Sequence, residues 1–329
     1  MASSSSSSSS WLDGTHLALM LTALVAAFAL PFELVVFSYA VLGPAHYLTE
    51  ISWLHEKSYF LPHRFLAVAL LLATALMVAL RGNFTATSFI LISLLSVCGA
   101  LAFTRDWAWR AIVGGIGLIV GLALASYGPA AFFVAIMIPS LVHVSLFTFI
   151  FILVGYLNSG SRFQMLLASV YVSSIALILI YPPASAHSAE MAKLASRYFG
   201  GLSEALADVI GKERIPLDGR LAGLLSFVYT YHYLNWFIKV RVINWHKISK
   251  PRLAGIAGLS ATATGLYLYD YSLGLKLLFS LSMLHVVLEF PLNAITFRRL
   301  VAGTTAVQLS QSDMSRSRSQ ASSAIGSSS

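Results

Sequence analysis

Residues 130–157 read AAFFVAIMIPSLVHVSLFTFIFILVGYL, a run without a single Asp, Glu, Lys or Arg. About 20 consecutive apolar residues are enough for a helix to cross the hydrocarbon core of a bilayer. A helix satisfies all of its backbone hydrogen bonds internally, which the bilayer requires of a spanning segment. This run therefore predicts a membrane-spanning helix, and similar runs recur along the chain.

The composition of the whole chain agrees with this run. Of the 329 residues, 57% are hydrophobic and 10% are charged, and the mean hydropathy is +0.78. Soluble domains carry about 25% charged residues, so a water-soluble or disordered protein is excluded. The single cysteine, Cys98, excludes a disulfide scaffold. The composition predicts an all-α fold, a polytopic integral membrane helix bundle.

Apolar segments divide the chain into spans. The fourth and eighth segments are short and rich in glycine, so the expected number of transmembrane helices is eight or nine. The nine segments are approximately Leu17–Leu42, Phe65–Leu80, Phe84–Thr104, Ala111–Ser126, Ala130–Leu157, Phe163–Tyr181, Leu221–Val240, Leu253–Tyr269 and Leu273–Phe297.

The predicted domain organisation is one transmembrane helical domain, residues 16–300, between two disordered tails. Residues 1–15 contain a run of eight serines, and residues 301–329 are rich in Ser and Arg. Neither tail has enough apolar residues to build a core. Residues 182–220 form a polar insert, within which Ala189–Ile210 has the periodicity of a helix lying on the membrane surface.

The distribution of Lys and Arg predicts the orientation of the chain. The loops after odd-numbered segments carry 14 of these residues, and the opposite side carries 7. Because basic loops stay in the cytoplasm, we expect the N-terminus outside and the C-terminus inside. The net charge of +8 comes mostly from these basic residues beside the apolar segments. We therefore attribute it to membrane orientation, and we expect the lipid bilayer, and no nucleic acid, as a partner.

Four histidines interrupt the apolar segments: His46, His143, His232 and His285. Ionisable groups inside membrane spans are costly and usually functional. Their segments, the first, fifth, seventh and ninth, all run in the same direction, so the four side chains can meet in one layer. Imidazole suits several transition metals, which makes these histidines candidate metal ligands. The alternative is that each is a hydrogen-bonded buried histidine without a metal.

Two of the histidines are each followed by a glutamate four residues later, as His46 and Glu50 and as His285 and Glu289. This spacing places both side chains on one face of a helix. A ligand histidine commonly donates its other ring N–H to a carboxylate. The glutamates are therefore candidates to accept such hydrogen bonds and so to orient the ligand histidines. Four aromatic residues are candidates to line a path for a long apolar ligand, with packing as the alternative: Tyr229, Tyr231, Tyr233 and Trp236.

The strings around the four histidines resemble, in the same order, the signature strings of the Brp/Blh family of bacterial membrane β-carotene dioxygenases. Gly43-Pro44-Ala45-His46, with Glu50, is similar to the family's Gly-x-Pro-His-x-x-x-Asp. His285 through Glu289-Phe290 is similar to its Pro-His-x-x-x-x-Asp-Phe. His143 stands where the second string has its histidine. His232 stands at the first histidine of the third string, and Trp236 replaces the second.

The resemblance implies a membrane non-haem iron oxygenase of the inner membrane of a bacterial cell. It implies that Fe(II) is held by His46, His143 and His232, with His285 as the fourth ligand. The substrate would be a lipophilic small molecule delivered by the bilayer. For this family it is a carotenoid, which a dioxygenase cleaves to retinal.

Three other functions fit the same side chains. A haem protein would use two of the histidines as axial ligands. A transporter of protons or solutes would use the histidines with Glu33 and Glu289, because Pro31 and Pro291 lie beside these acids and broken helices beside acids line transport sites. A non-catalytic membrane protein would need none of them for chemistry.

Overall fold

The computed structural model describes residues 3–57, 83–103, 106–126, 138–159, 161–183, 219–238 and 248–301, with isolated positions between 68 and 80 and residue 193. Every regular element in these residues is a helix, which confirms the all-α prediction for this part of the chain. Two π-helical turns, Ser38–Leu42 and His143–Phe147, connect consecutive helices. The helices are α1 (Ser3–Ala29), α2 (Pro31–Phe37), α3 (Gly43–Lys57), α4 (Phe84–Phe103), α5 (Trp107–Ala125), α6 (Ile138–Val142), α7 (Thr148–Ser159), α8 (Arg162–Ile180), α9 (Gly219–Ile238), α10 (Lys250–Tyr269) and α11 (Tyr271–Val301).

Three helical stretches are long and apolar enough to cross a membrane: Pro31–Glu56, Ser140–Leu157 and Arg162–Ile180. Shorter apolar helices are Gly14–Ala29, Trp107–Ala123 and Leu277–Glu289. The count of eight or nine spans stays a prediction. More than half of the predicted second segment, all but one residue of the predicted surface helix at 189–210, and the C-terminal tail beyond residue 301 lie outside the described residues.

The predicted first segment, Leu17–Leu42, is wrong in its bounds because the helix breaks at Leu30. That residue has φ −140° and ψ 59°, and Pro31 begins the next helix. Proline has no N–H and disfavours helical backbone in the residue before it. After the break, Pro31–Glu56 is one apolar stretch of 26 residues. His46, which the sequence places at the end of an apolar segment, therefore lies inside this stretch.

The first helix begins earlier than the sequence pattern indicates. α1 starts at Ser3, within the tail at residues 1–15 that was expected to be disordered. Serine has only a moderately lower helix propensity than alanine, and extending an existing helix avoids the cost of nucleation. The backbone therefore continues as a helix through the serine run.

α9 and α11 organise the interior. α9 packs against α1 and α2, whereas α11 packs against α10, α4 and α3. A buried apolar cluster around Phe227 joins α1, α7, α8 and α9. A second cluster, around Leu54 and Val287, joins α3, α4 and α11. The four histidine-bearing elements contribute to these clusters, two to each, so the histidines lie where the two groups of helices meet.

The outward surface is apolar on several helices. α5 exposes Ile116, Ile119 and Leu122, and α8 exposes Leu166 and Ile180. Contiguous exposed apolar surface is unfavourable in water, whereas helices in a bilayer turn such surface to lipid and bury their ionisable groups. The described part of the chain has this pattern.

Candidate metal centre

The four histidines meet inside the protein, although they come from four different elements. His46 lies on α3, His143 is the first residue of the second π turn, His232 lies on α9 and His285 on α11. Going around the group, the ring centroids of neighbouring histidines are 4.8 Å (His46–His232), 5.3 Å (His232–His143), 4.9 Å (His143–His285) and 4.9 Å (His285–His46) apart. The four rings therefore form a closed circuit. Three of them are buried, and His232 is partly buried.

Glu50 lies on the His46–His285 side of this circuit. Its Oε2 atom is 3.2 Å from Nε2 of His46 and also 3.2 Å from Nε2 of His285. Nε2 of His46 is in turn 3.2 Å from Nε2 of His232. The carboxylate therefore faces the same ring nitrogens that converge on one another.

Glu289 lies beside His143 and His285. Its Oε2 atom is 3.1 Å from Nε2 of His143 and 3.7 Å from Nε2 of His285. Both glutamates are buried. Six donor atoms, four nitrogens and two oxygens, thus follow one another at separations of 3.1 to 3.7 Å. Within this set, two triplets have donor atoms that all lie within 4.8 Å of one another: His46, His232 and His285, and His143, His285 and Glu289.

The π turns position two of the histidines. Each π turn adds one residue to the helical repeat and so rotates the side chains that follow it, and such turns are frequent at functional sites. One turn ends at Leu42, four residues before His46, and His143 begins the other. Pro44, which has no N–H, cannot donate to the carbonyl of Ala40. Thr264 on α10 donates to that carbonyl instead, over 2.9 Å.

Thr148 fixes the orientation of His232. The Thr148 Oγ1 atom is 2.9 Å from Nδ1 of His232, and Thr148 is buried. When Nδ1–H donates to this hydroxyl, the lone pair of Nε2 is left to face His46 and the centre. No sequence pattern predicts this contact, because the two residues are 84 positions apart.

A pair of tyrosines closes one side of the centre. The hydroxyl oxygens of Tyr47 and Tyr233 are 2.6 Å apart, and both residues are buried. The Tyr233 ring centroid is 4.8 Å from that of His46, and the Tyr47 ring centroid is 4.9 Å from that of His285. The sequence indicated Tyr233 but not Tyr47, whose only signal is its position beside His46.

The other predicted aromatic residues occupy different surroundings. The Trp236 ring is 5.5 Å from the His46 ring, and its Nε1–H donates to Thr49 Oγ1 over 3.1 Å. The Tyr229 hydroxyl pairs with Ser140 on α6 at 2.8 Å. The structure places Tyr231 in the buried apolar cluster around Phe227.

Comparison of the chain with protein-family models, with curated proteins and with solved structures finds no match. A function for the centre therefore rests on the chemistry of its own side chains.

Proposed function

We propose that the chain is an integral membrane metalloenzyme, an oxygenase of the non-haem iron type acting on a lipophilic substrate. The observation that carries the proposal is the convergence of four histidine nitrogens and two carboxylate oxygens from α3, the second π turn, α9 and α11. Buried polar side chains are costly unless they are paired or bind a metal. A cluster of six in an apolar protein supports a metal-binding role.

The donor set fits a divalent transition metal. Imidazole nitrogens suit iron, zinc, copper and nickel, and mixed imidazole–carboxylate sets are typical of non-haem Fe(II) oxygenases. Around an ion with bonds of about 2.1 Å, neighbouring donors lie about 3.0 to 3.4 Å apart. The separations between most of the neighbouring donors here are in or close to that range. His46, His143, His232 and His285 would hold the ion.

Bound iron would supply the activation of dioxygen for oxidation of an apolar substrate. The chain's own residues orient the ligands and exclude water. Thr148 keeps Nε2 of His232 turned inward. Tyr233 and Trp236 cover the His46 ring, and their aromatic surface excludes water from that side.

The resemblance to the β-carotene dioxygenases supports a carotenoid as the substrate class, with retinal as the product. A lipophilic substrate needs no charged residue for binding, because the bilayer brings it to the protein. Tyr229 lies on the Tyr233 side of α9, with ring centroids 5.9 Å apart. In the proposal Tyr229, Tyr233 and Trp236 line the approach to the centre, and Tyr231 holds α9 against its neighbours.

The proposal includes a polytopic bundle of eight or nine spans in a cell membrane. The three apolar helical stretches and the apolar surfaces of α5 and α8 support it. We take Pro31–Glu56 as the first crossing, because Gly14–Ala29 is shorter than a typical span. The distribution of Lys and Arg then keeps the N-terminus outside and the C-terminus in the cytoplasm.

Metal content tests the proposal. Elemental mass spectrometry of the detergent-purified chain should give stoichiometric iron, and the optical spectrum should have no Soret band. His46→Ala should lose the metal, whereas His16→Ala, a histidine of α1 outside the cluster, should keep it. The wild-type chain should then cleave a carotenoid in detergent or liposomes. Folded protein without stoichiometric metal would overturn the proposal. A Soret band would show bound haem and would favour the haem protein instead.

A transporter is the second candidate, because of one observation outside the centre. Oε2 of Glu33 is buried and has no hydrogen-bond partner among the described residues. Glu33 lies in the first turn of α2, directly after the helix break at Leu30, and broken helices beside acids line transport sites. A proton-coupled flux in liposomes that Glu33→Gln abolishes would favour this function, and unchanged flux would remove it.

A further inference from the structure

Both glutamates of the centre face the histidine nitrogens to which a metal would bind. A carboxylate that supports a ligand histidine from behind accepts a hydrogen bond from the ring nitrogen that does not bind the metal. Here Glu50 Oε2 lies 3.2 Å from Nε2 of His46, and that same Nε2 lies 3.2 Å from Nε2 of His232. Glu50 is therefore on the inner side of the ring, among the donors.

A simple hydrogen bond does not account for the contact between Glu50 and His285. Nε2 of His285 is 3.2 Å from Glu50 Oε2, yet within the described residues it makes no aligned hydrogen bond. Atoms that point at a shared centre, and not at each other, have this geometry.

The two glutamates stand in equivalent positions. Glu50 follows His46 by one helical turn on α3, and Glu289 follows His285 by one turn on α11. These two helices pack against each other. Glu289 Oε2 is 3.1 Å from Nε2 of His143, so it too lies among the donors. Helix bundles commonly build metal sites from carboxylates and histidines of facing helices.

We propose that Glu50 and Glu289 are themselves ligands of the metal, so that the centre is a mixed histidine–carboxylate site. The six side chains would not all bind the ion at the same time, because an oxygenase iron needs an open position for dioxygen. The inference rests on the proposed metal centre and deepens it. Two carboxylates carry two negative charges, which one divalent ion balances. A neutral assembly of this kind is the least costly charge state in apolar surroundings. This proposal makes the glutamates ligands, whereas their spacing in the sequence suggested that they only orient the ligand histidines.

The glutamine variants Glu50→Gln and Glu289→Gln test this assignment, because they remove the charge and keep the shape of the side chain. Glu56→Gln is the matched control. Glu56 lies on α3 but is exposed and pairs with Arg252 at 3.6 Å, away from the centre. Metal-free preparations are titrated with Co(II), whose visible absorption bands respond to the identity of the coordinating atoms. Circular dichroism and size-exclusion chromatography of the same preparations report folding.

Loss of a ligand should lower the Co(II) affinity by more than about 100-fold, beyond the range typical of a supporting partner. The visible bands should also shift in position and intensity, and the control should keep both. If both glutamine variants keep the wild-type bands, the glutamates do not bind the ion and the assignment fails. If the folded wild type binds neither iron nor Co(II), it is the metal centre itself that fails. A variant that does not fold is replaced by the corresponding Glu→Leu change, which also removes the carboxylate and for which the same loss of affinity is expected.

Discussion

The candidate metal centre and the α4–α5 pair differ in how their helices are held together. In the centre, α3, α9 and α11 bury imidazoles, carboxylates and hydroxyls that face one another over about 3 Å. In the α4–α5 pair, Gly117 lies directly against Ser96, and much of the α5 surface is apolar and exposed. The first region depends on the identity and direction of polar groups. The second depends on the close approach of backbones that small residues permit.

This difference predicts two separate classes of variant. Changes in the centre should alter metal binding by large factors while much of the helical structure is kept. Changes between α4 and α5 should alter stability and leave metal binding as it is. A variant that moved both properties together would show that the two regions are one cooperative unit.

Replacing His285 should have the largest effect. Its ring belongs to both donor triplets, so His285→Ala should weaken metal binding by more than about 100-fold. The measurement is metal per chain after dialysis against a chelator. Ile119→Ala is the control on α5, where the side chain is exposed, and it should keep the wild-type metal content. Equal retention of metal by both variants would contradict the centre.

Replacing Thr148 should have a smaller effect on the same property. Thr148→Val removes the hydroxyl that bonds Nδ1 of His232, and the ring then loses its fixed orientation. Loss of such a supporting partner lowers metal affinity by about 10- to 100-fold. Thr148→Ser retains a hydroxyl and should restore most of the affinity in a Co(II) titration. An unchanged affinity in the valine variant would show that packing alone orients His232.

The sequence predicted the all-α class and the identity of the clustered histidines for a physical reason. Apolar runs can be recognised from composition alone, and an ionisable residue within such a run is conspicuous. His46, His143, His232 and His285 could be chosen on that ground, and the structure brings them together. Their function as metal ligands stays a prediction.

The sequence could not supply the geometry. No composition rule places the π turns at Ser38–Leu42 and His143–Phe147. Thr148 and Tyr47 acquire their roles from partners on other helices, as far away as 186 positions. The spacing of Glu50 showed which face of α3 it shares with His46, but it did not show which ring nitrogen it faces. That distinction separates a supporting residue from a ligand.

Between α4 and α5, a methyl group should be enough to disturb packing. A Cβ atom on Gly117 would overlap Ser96, whereas a Cβ on Gly114 of the same helix meets nothing within 4 Å. Overpacking of this kind costs about 1 to 3 kcal/mol, so Gly117→Ala should lower the thermal unfolding midpoint in detergent. Gly114→Ala should leave it unchanged or raise it slightly, because alanine favours helix. Ser96→Gly should rescue Gly117→Ala, and its failure would mean that the overlap is relieved in another way.

The smallest effect should come from the tyrosine pair, which belongs to the centre but supplies no donor to the ion in this proposal. Tyr47→Phe leaves the buried Tyr233 hydroxyl without the partner that it has at 2.6 Å, which should cost about 1 kcal/mol of unfolding free energy. The double variant Tyr47→Phe, Tyr233→Phe removes both hydroxyls and should recover part of that loss, because neither buried group is then left unpaired. Metal affinity should change by less than about 10-fold, below the range for a group that supports a ligand. A larger loss of metal affinity in Tyr233→Phe alone would show that this hydroxyl contributes to metal binding. The aromatic face of α9 would then belong to the metal site and not only to the packing around it.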